Sequence, residues 1–226
     1  MTTDINSMSR EVDCLLDSGK SRQAVSLLKQ IAKAGDAWGQ YMLGLAYHYG
    51  NGVARSRRQA ERWYQAAAEQ NYDSAILNIG LLRAASRPPR YAEAFSLFRR
   101  AAKLGNRTAM YNLGLYYELG RHVKANRCTS FRWYLKSAEL GDTDAQCCAG
   151  YCYHEGFGVR KNEEQAVHWY RKAAQQENVS ACYNLGLCYL KGTGVKKSQK
   201  LAREWLERAA KLGHGLSYQT LEEMLF

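Results

Sequence analysis

Hydrophobic and polar positions follow one another along this chain with the spacing of helices, and the pattern is clear near its end. In Ala181-Cys182-Tyr183-Asn184-Leu185-Gly186-Leu187-Cys188-Tyr189-Leu190 every position is compatible with a helix. The small residues Ala181 and Gly186 sit where another helix must come close. Glycine in a helix interior costs about 1 kcal/mol relative to alanine, so its use there points to a packing reason. The spacing predicts a stop at Lys191-Gly192-Thr193-Gly194-Val195, where two glycines allow positive φ. A second helix is predicted from about Ser198 to Leu212, because Leu201, Trp205, Leu206, Ala209 and Ala210 fall on one face. Gly213 ends it. Two antiparallel helices with a short glycine loop form a hairpin, and hairpins stack.

This hairpin is one of a series. A small residue followed five positions later by glycine occurs at Gly39, Ala75, Ala109, Ala145 and Ala181. The key glycines Gly44, Gly80, Gly114, Gly150 and Gly186 lie 36, 34, 36 and 36 residues apart. A second phrase follows each: Ala60 with Trp63-Tyr64, Ala94 with Leu97-Phe98, Ser130 with Trp133-Tyr134, Ala166 with Trp169-Tyr170, and Ala202 with Trp205-Leu206. Self-similarity at this period implies a solenoid of stacked units. Such arrays carry function mainly as surface binding. Trp63, Trp133, Trp169 and Trp205 are expected to be largely buried, each wedged between its own hairpin and the next. Residues 7–17 read as a first helix joined through Asp17-Ser18-Gly19, and Leu216 to Phe226 repeats only the first-helix phrase. Both read as end caps.

These phrases resemble the Sel-1-like repeat family, a relative of the tetratricopeptide repeats. The glycine loop of that family is intact at Gly50-Gly52-Val53, Gly156-Gly158-Val159 and Gly192-Gly194-Val195, and His122 replaces its second glycine in the third repeat. The closing motif is clearest at Trp133-Tyr134 with Gly141 and at Trp169-Tyr170 with Ala173-Ala174. The resemblance covers roughly residues 20–225. The second repeat departs from it: Ser86-Arg87-Pro88-Pro89-Arg90 stands in place of the glycine loop, two residues shorter, and a local irregularity is expected there. The fold expected is all-α, a right-handed superhelical solenoid of antiparallel hairpins, about six units with capping helices. Residues 1–226 are read as a single repeat domain: a cap hairpin over 1–35, five repeats over 36–213 and a capping helix over 214–226.

Composition narrows the function classes. No uninterrupted apolar run approaches 18 residues, so no membrane span is expected. The polar start, Met1-Thr2-Thr3-Asp4-Ile5-Asn6-Ser7, carries no secretory signal pattern. Seven cysteines is an odd number, and they cluster late in the chain, which reads as reduced thiols and a cytoplasmic setting. Cys148, Cys152 and His154 raise the possibility of zinc, but the cysteine positions match small core residues in other repeats, and packing is the preferred reading. No metal-binding histidine pair, phosphate loop or nucleophile motif stands out, so no cofactor, no metal and no enzyme activity is expected. An enzyme reading would rest on cysteine-rich relatives linked to β-lactam hydrolysis, whose paired cysteine pattern is missing here.

Two surfaces remain as candidates. By the resemblance, the first helices line a concave face. In the first repeat this face would carry Trp38, Tyr41, His48 and Tyr49. Further along it would carry Asn78, then Tyr111, Asn112 and Glu118, then Tyr151 and His154, then Tyr183 and Asn184. Tyrosine and tryptophan suit interface anchors. Tyr41, Tyr111, Tyr151 and Tyr183 are expected to form a ladder along this wall. The recurrent asparagines either grip a bound backbone or tie down their own helix, and the second reading is preferred.

The net charge of +11 is uneven. Fifteen of the 32 basic residues lie between the two helices of successive repeats, among them Arg55, Arg57, Arg58, Lys196, Lys197 and Lys200. This basic ridge reads either as a track for an acidic partner, nucleic acid or anionic surface, or as a solvated edge, and the second is preferred. Aromatic residues do not interleave with these bases, which argues against single-stranded nucleic acid. The reading is therefore a non-enzymatic scaffold or adaptor, a monomer, that takes a peptide or protein segment into the concave groove. An anion or nucleic-acid binding module is the alternative.

Overall fold

In a computed structural model, which describes residues 5–224, every regular element is a helix. The polar tetrapeptide 1–4 and residues 225–226, the end of the expected cap, lie outside the described residues. The helices gather into two units, 1–106 and 107–226. The first contains α1 (Ile5–Asp17), α2 (Ser21–Lys33), α3 (Ala37–Tyr49), α4 (Arg57–Glu69), α5 (Asp73–Ala84) and α6 (Tyr91–Lys103). The second contains α7 (Arg107–Leu119), α8 (Arg127–Glu139), α9 (Thr143–Glu155), α10 (Glu163–Gln175), α11 (Val179–Lys191), α12 (Gln199–Lys211) and α13 (Gly215–Glu223). Within each unit every helix packs on the helices before and after it in sequence, so each is a row of antiparallel hairpins. Among the described residues no helix is long and apolar enough to cross a membrane.

Side chains set the helix starts. Asp36, Ser56, Asn126, Asp142, Asn162, Asn178 and Ser198 each cap the helix that follows by accepting a hydrogen bond from the amide three residues on. Glycines set the ends of first helices: Gly50, Gly156 and Gly192 adopt left-handed φ of +82°, +74° and +76°. The second glycine of the loop has two duties. Gly158 has φ +75°, and a β-carbon there would run into the Arg127 carbonyl at the start of α8. Gly52 meets Ser21 and Gly194 meets Glu163 in the same way. The loop of each of these hairpins thus sits on the backbone of the hairpin before it.

The second repeat closes differently at its loop. α5 ends without a left-handed glycine, and Ser86 bridges the carbonyls of Arg83 and Pro88 through its hydroxyl. The Arg90 amide still bonds the Arg83 carbonyl at 3.0 Å, as the Asn162 amide bonds Tyr153 at 2.9 Å across a longer loop.

Each key glycine in a first helix receives a large side chain from its own second helix. A β-carbon at Gly44 would lie 2.6 Å from the Tyr64 ring, at Gly80 2.7 Å from Phe98, at Gly150 2.7 Å from Tyr170 and at Gly186 2.8 Å from Leu206. Gly114 is just as close to Tyr134. Tyr64, Phe98, Tyr134, Tyr170 and Leu206 are consequently the deeply buried members of their phrases.

The tryptophan beside Tyr64, Tyr134, Tyr170 and Leu206 does not fill this slot, and the four are not all as buried as the sequence suggests. Trp169 is buried, but Trp63, Trp133 and Trp205 keep part of their surface in solvent. Adjacent helical positions differ by about 100° in direction, so only one of the two aromatics can point at the glycine. The tryptophans lie at the edge of the helix–helix contact, covered by cations: Arg62 over Trp63, Lys136 over Trp133, Lys172 over Trp169 and Arg208 over Trp205.

Buried amides add a second tie. Gln40 donates to the Ala32 carbonyl at 3.3 Å and accepts from Gln70 at 2.9 Å, so one side chain links α2, α3 and the end of α4. Gln146 does the same between Ala138 and Gln176 at 3.2 and 2.9 Å. A buried amide is tolerated when its donors and acceptors are satisfied.

Candidate functional site

Rings of the first helices gather with second-helix rings into two aromatic clusters, one in each unit. In the first unit Tyr41 lies 4.9 Å from Tyr72 and 6.0 Å from Tyr64 between ring centroids. The Tyr64 hydroxyl reaches Nδ1 of His48 at 3.3 Å. The Asn78 side chain lies beside both Tyr41 and Tyr64. Burial pushes the Tyr41 and Tyr64 phenols above their ordinary pKa, so both stay protonated. Tyr49 stands outside this cluster, 66% exposed, with its ring 4.8 Å from His48. Trp38 is half-buried against the core of α2 and α3.

In the second unit Tyr111 lies 5.8 Å from Tyr134, whose hydroxyl donates a short hydrogen bond to Glu118. Tyr151 is 47% exposed and sits 6.4 Å from Phe157, which the Arg127 guanidinium covers at 4.3 Å. Together with Glu118, Cys148 and Asn184, the rings of Tyr134, Tyr151 and Phe157 line a recess of about 200 Å³. Tyr183 stacks on His214 at 4.2 Å. Tyr41, Tyr111 and Tyr183 therefore occupy one register, each resting on a second-helix ring or on the residue that opens the next first helix. Tyr151 is four positions further along and is freer.

The asparagines divide. Asn112 donates to the Thr108 carbonyl at 2.8 Å within its own helix. Asn78 and Asn184 reach instead to the preceding hairpin, Asn184 to Cys147.

Cys147, Cys148 and Cys152 line this recess. All seven are free thiols. Burial pushes Cys147 and Cys152 up to about 12 and Cys188 up to about 11, so the neutral thiol dominates at physiological pH.

On the loop side, Arg55, Arg58, Lys196, Lys197 and Lys200 are exposed. Among the described residues Arg58, Lys196, Lys197 and Lys200 have no carboxylate partner. Arg57 is tied down by donating to the Leu82 carbonyl at 3.0 Å, and Arg83 is held by Glu61 and Glu93.

One pairing was overlooked in reading the sequence, although its signal is there. Four positions after each key glycine stand His48, Ala84, Glu118, His154 and Leu190; twenty positions after it, or eighteen in the second repeat with its shorter loop, stand Tyr64, Phe98, Tyr134, Tyr170 and Leu206. A polar residue accompanies each tyrosine, and an apolar one accompanies phenylalanine and leucine. A buried hydroxyl calls for a partner, and on the first helix His48 serves Tyr64 and Glu118 serves Tyr134.

The similarities to known proteins follow the same repeat. A model of the Sel1 repeat matches residues 39–72, 75–106, 107–142, 143–178 and 179–214. Chitin synthase regulatory factor 3 of Schizosaccharomyces pombe is 31% identical over 128 residues, which are 52% of this chain but correspond to 13% of that protein's length. A Sel1 repeat protein from Oxalobacter formigenes has a similar structure, with TM-score 0.87 and 33% identity over 92% of this chain and 88% of its own. A protective antigen present in uropathogenic Escherichia coli strains, displaying an SLR fold, gives TM-score 0.80 and 36% identity over 88% of this chain and 43% of its own. With phased glycine-to-aromatic hairpins and five matched repeats over more than half its length, the chain belongs to the Sel1 repeat family.

Proposed function

We propose that this protein is a non-enzymatic scaffold that binds a peptide or protein segment on the aromatic face of its first helices. The observation that carries this reading is the pair of exposed tyrosines, Tyr49 and Tyr151, each beside a ring that is itself held in place. Rings anchored before binding bury much area at low entropy cost. Sel1 repeat proteins generally mediate protein–protein interaction, which supports the same reading. The neutral thiols favour a binding surface over cysteine chemistry. The scaffold is proposed to act as a monomer in the cytoplasm.

The basic ridge supports a second reading, an anion or nucleic-acid binding module, because Arg58, Lys196, Lys197 and Lys200 are exposed cations with no carboxylate partner among the described residues. Affinity purification with mass spectrometry identifies a partner, and calorimetry on that partner separates the readings. Y49A/Y151A is expected to weaken it at least tenfold, about 1.4 kcal/mol, and K196E/K197E/K200E to change it little. The reverse outcome, with affinity falling steeply as salt rises, assigns function to the ridge.

A further inference from the structure

The fourth repeat leaves open a contact that the first and third close. At His48 the imidazole Nδ1 is taken by the Tyr64 hydroxyl, and at Glu118 the carboxylate is taken by the Tyr134 hydroxyl. At the same register in the fourth repeat stand His154 and Tyr170. His154 Nδ1 is buried and has no hydrogen-bond partner among the described residues. Its other nitrogen, Nε2, lies 3.7 Å from Glu155. His154 and Tyr170 both line a cavity of about 260 Å³ between α9, α10 and α11. Its remaining wall includes Lys161, Glu163, Asn184, Leu187 and Lys191.

The charge of this wall selects the ligand. The Lys161 ammonium is 3.2 Å from Glu163, so these two offset each other. Lys191 has no carboxylate partner among the described residues and is the uncommitted cation. One free positive charge suits a monoanion, and a dianion would meet the Glu163 carboxylate unbalanced. A buried polar atom left unpaired costs about 1–3 kcal/mol, which a ligand atom in hydrogen-bond reach would recover. The Tyr170 hydroxyl, the Asn184 amide and the orphaned ring nitrogen are the uncharged hydrogen-bonding groups. Leu187 and the neutral Cys188 thiol form an apolar side.

We propose that this cavity is a carboxylate-binding subsite, with Lys191 as counter-charge, His154 and Asn184 as hydrogen-bonding groups, and Leu187 as the wall for an adjoining apolar group. The proposal deepens the scaffold reading and rests on it: the carboxylate belongs to the bound segment, as its chain terminus or as an acidic side chain.

The test uses the whole chain with 15N-labelled histidine and follows the His154 ring nitrogens by NMR. N-acetyl-leucine supplies a terminal carboxylate beside an apolar side chain, N-acetylglutamate α-amide supplies a side-chain carboxylate, and N-acetyl-leucinamide supplies none. A saturable His154 shift is expected with a carboxylate probe and not with the amide, and the tighter of the two carboxylates identifies the source. K191A should weaken that probe about tenfold, and H154L should abolish its binding, read from the methyl resonance of Leu187. H154L carries the leucine that the fifth repeat has at Leu190, and an unchanged melting temperature confirms its fold.

No saturable shift with either carboxylate, an equal shift with the amide, or equal affinity in K191A overturns the subsite. Inorganic phosphate binding as tightly as the carboxylates also overturns it. The probes need no protein partner, so their failure leaves the scaffold reading standing. Failure to find a partner leaves the probe result standing.

Discussion

The buried phenol of Tyr64 on α4 meets the imidazole of His48 on α3 at 3.3 Å, and the same register elsewhere matches polar with polar and apolar with apolar. At that register Ala84 accompanies Phe98 and Leu190 accompanies Leu206. The match gives a double-mutant test in the third repeat. E118A leaves the Tyr134 hydroxyl without its acceptor, at an expected cost of about 1–3 kcal/mol. E118A/Y134F recreates the Ala–Phe combination of the second repeat and should recover most of that loss. Urea unfolding measures both, and a double variant no better than E118A would remove the pairing.

The glycine slots set two effects against each other. Alanine at Gly150 gains about 1 kcal/mol of helix propensity, but its β-carbon would stand 2.7 Å from the Tyr170 ring. Overpacking of this kind costs about 1–3 kcal/mol, so G150A should destabilise. G186A faces the flexible Leu206 at 2.8 Å and should cost less. Thermal melts of the two variants rank them, and a stabilised G150A would show that the ring can withdraw.

Burial also ranks the aromatic neighbours. Tyr134 is 1% exposed, whereas Trp133 beside it keeps part of its ring in solvent. Y134A should cost about 3–5 kcal/mol, and W133A clearly less, despite deleting the larger side chain. W169A should exceed W133A, because Trp169 is the buried tryptophan. Denaturant midpoints check this order.

The thiols give the chain an alkaline limit. Burial raises Cys147 and Cys152 from 9.0 to about 12, and Cys188 to about 11. The folded state then holds these protons more tightly than the unfolded state. Their contribution is fully present below pH 9 and is lost as pH rises toward 11–12. The melting temperature should therefore begin to fall above about pH 9, and C152A should fall less steeply. In a thiol-labelling time course at neutral pH, exposed Cys14 and Cys128 should react first, and buried Cys152, Cys182 and Cys188 only on unfolding.

Residue type and spacing alone locate the hairpins, their glycine stops and their period. Ser198 as a cap, Gly192 as a left-handed stop and Gly213 after the last turn act through the local backbone, so residue type and spacing suffice to locate α11 and α12. The tertiary structure decided which of two adjacent aromatics fills each glycine slot. Hydrophobicity favours Trp133, but direction around the helix selects Tyr134, and direction depends on how α7 and α8 dock. It also decided that Asn184 reaches across to Cys147 whereas Asn112 bonds within its own helix, and that Tyr170 leaves His154 unpaired whereas Tyr64 closes on His48. These outcomes turn on contacts between residues far apart in the chain, where a small difference in packing separates a hydrogen bond from a cavity.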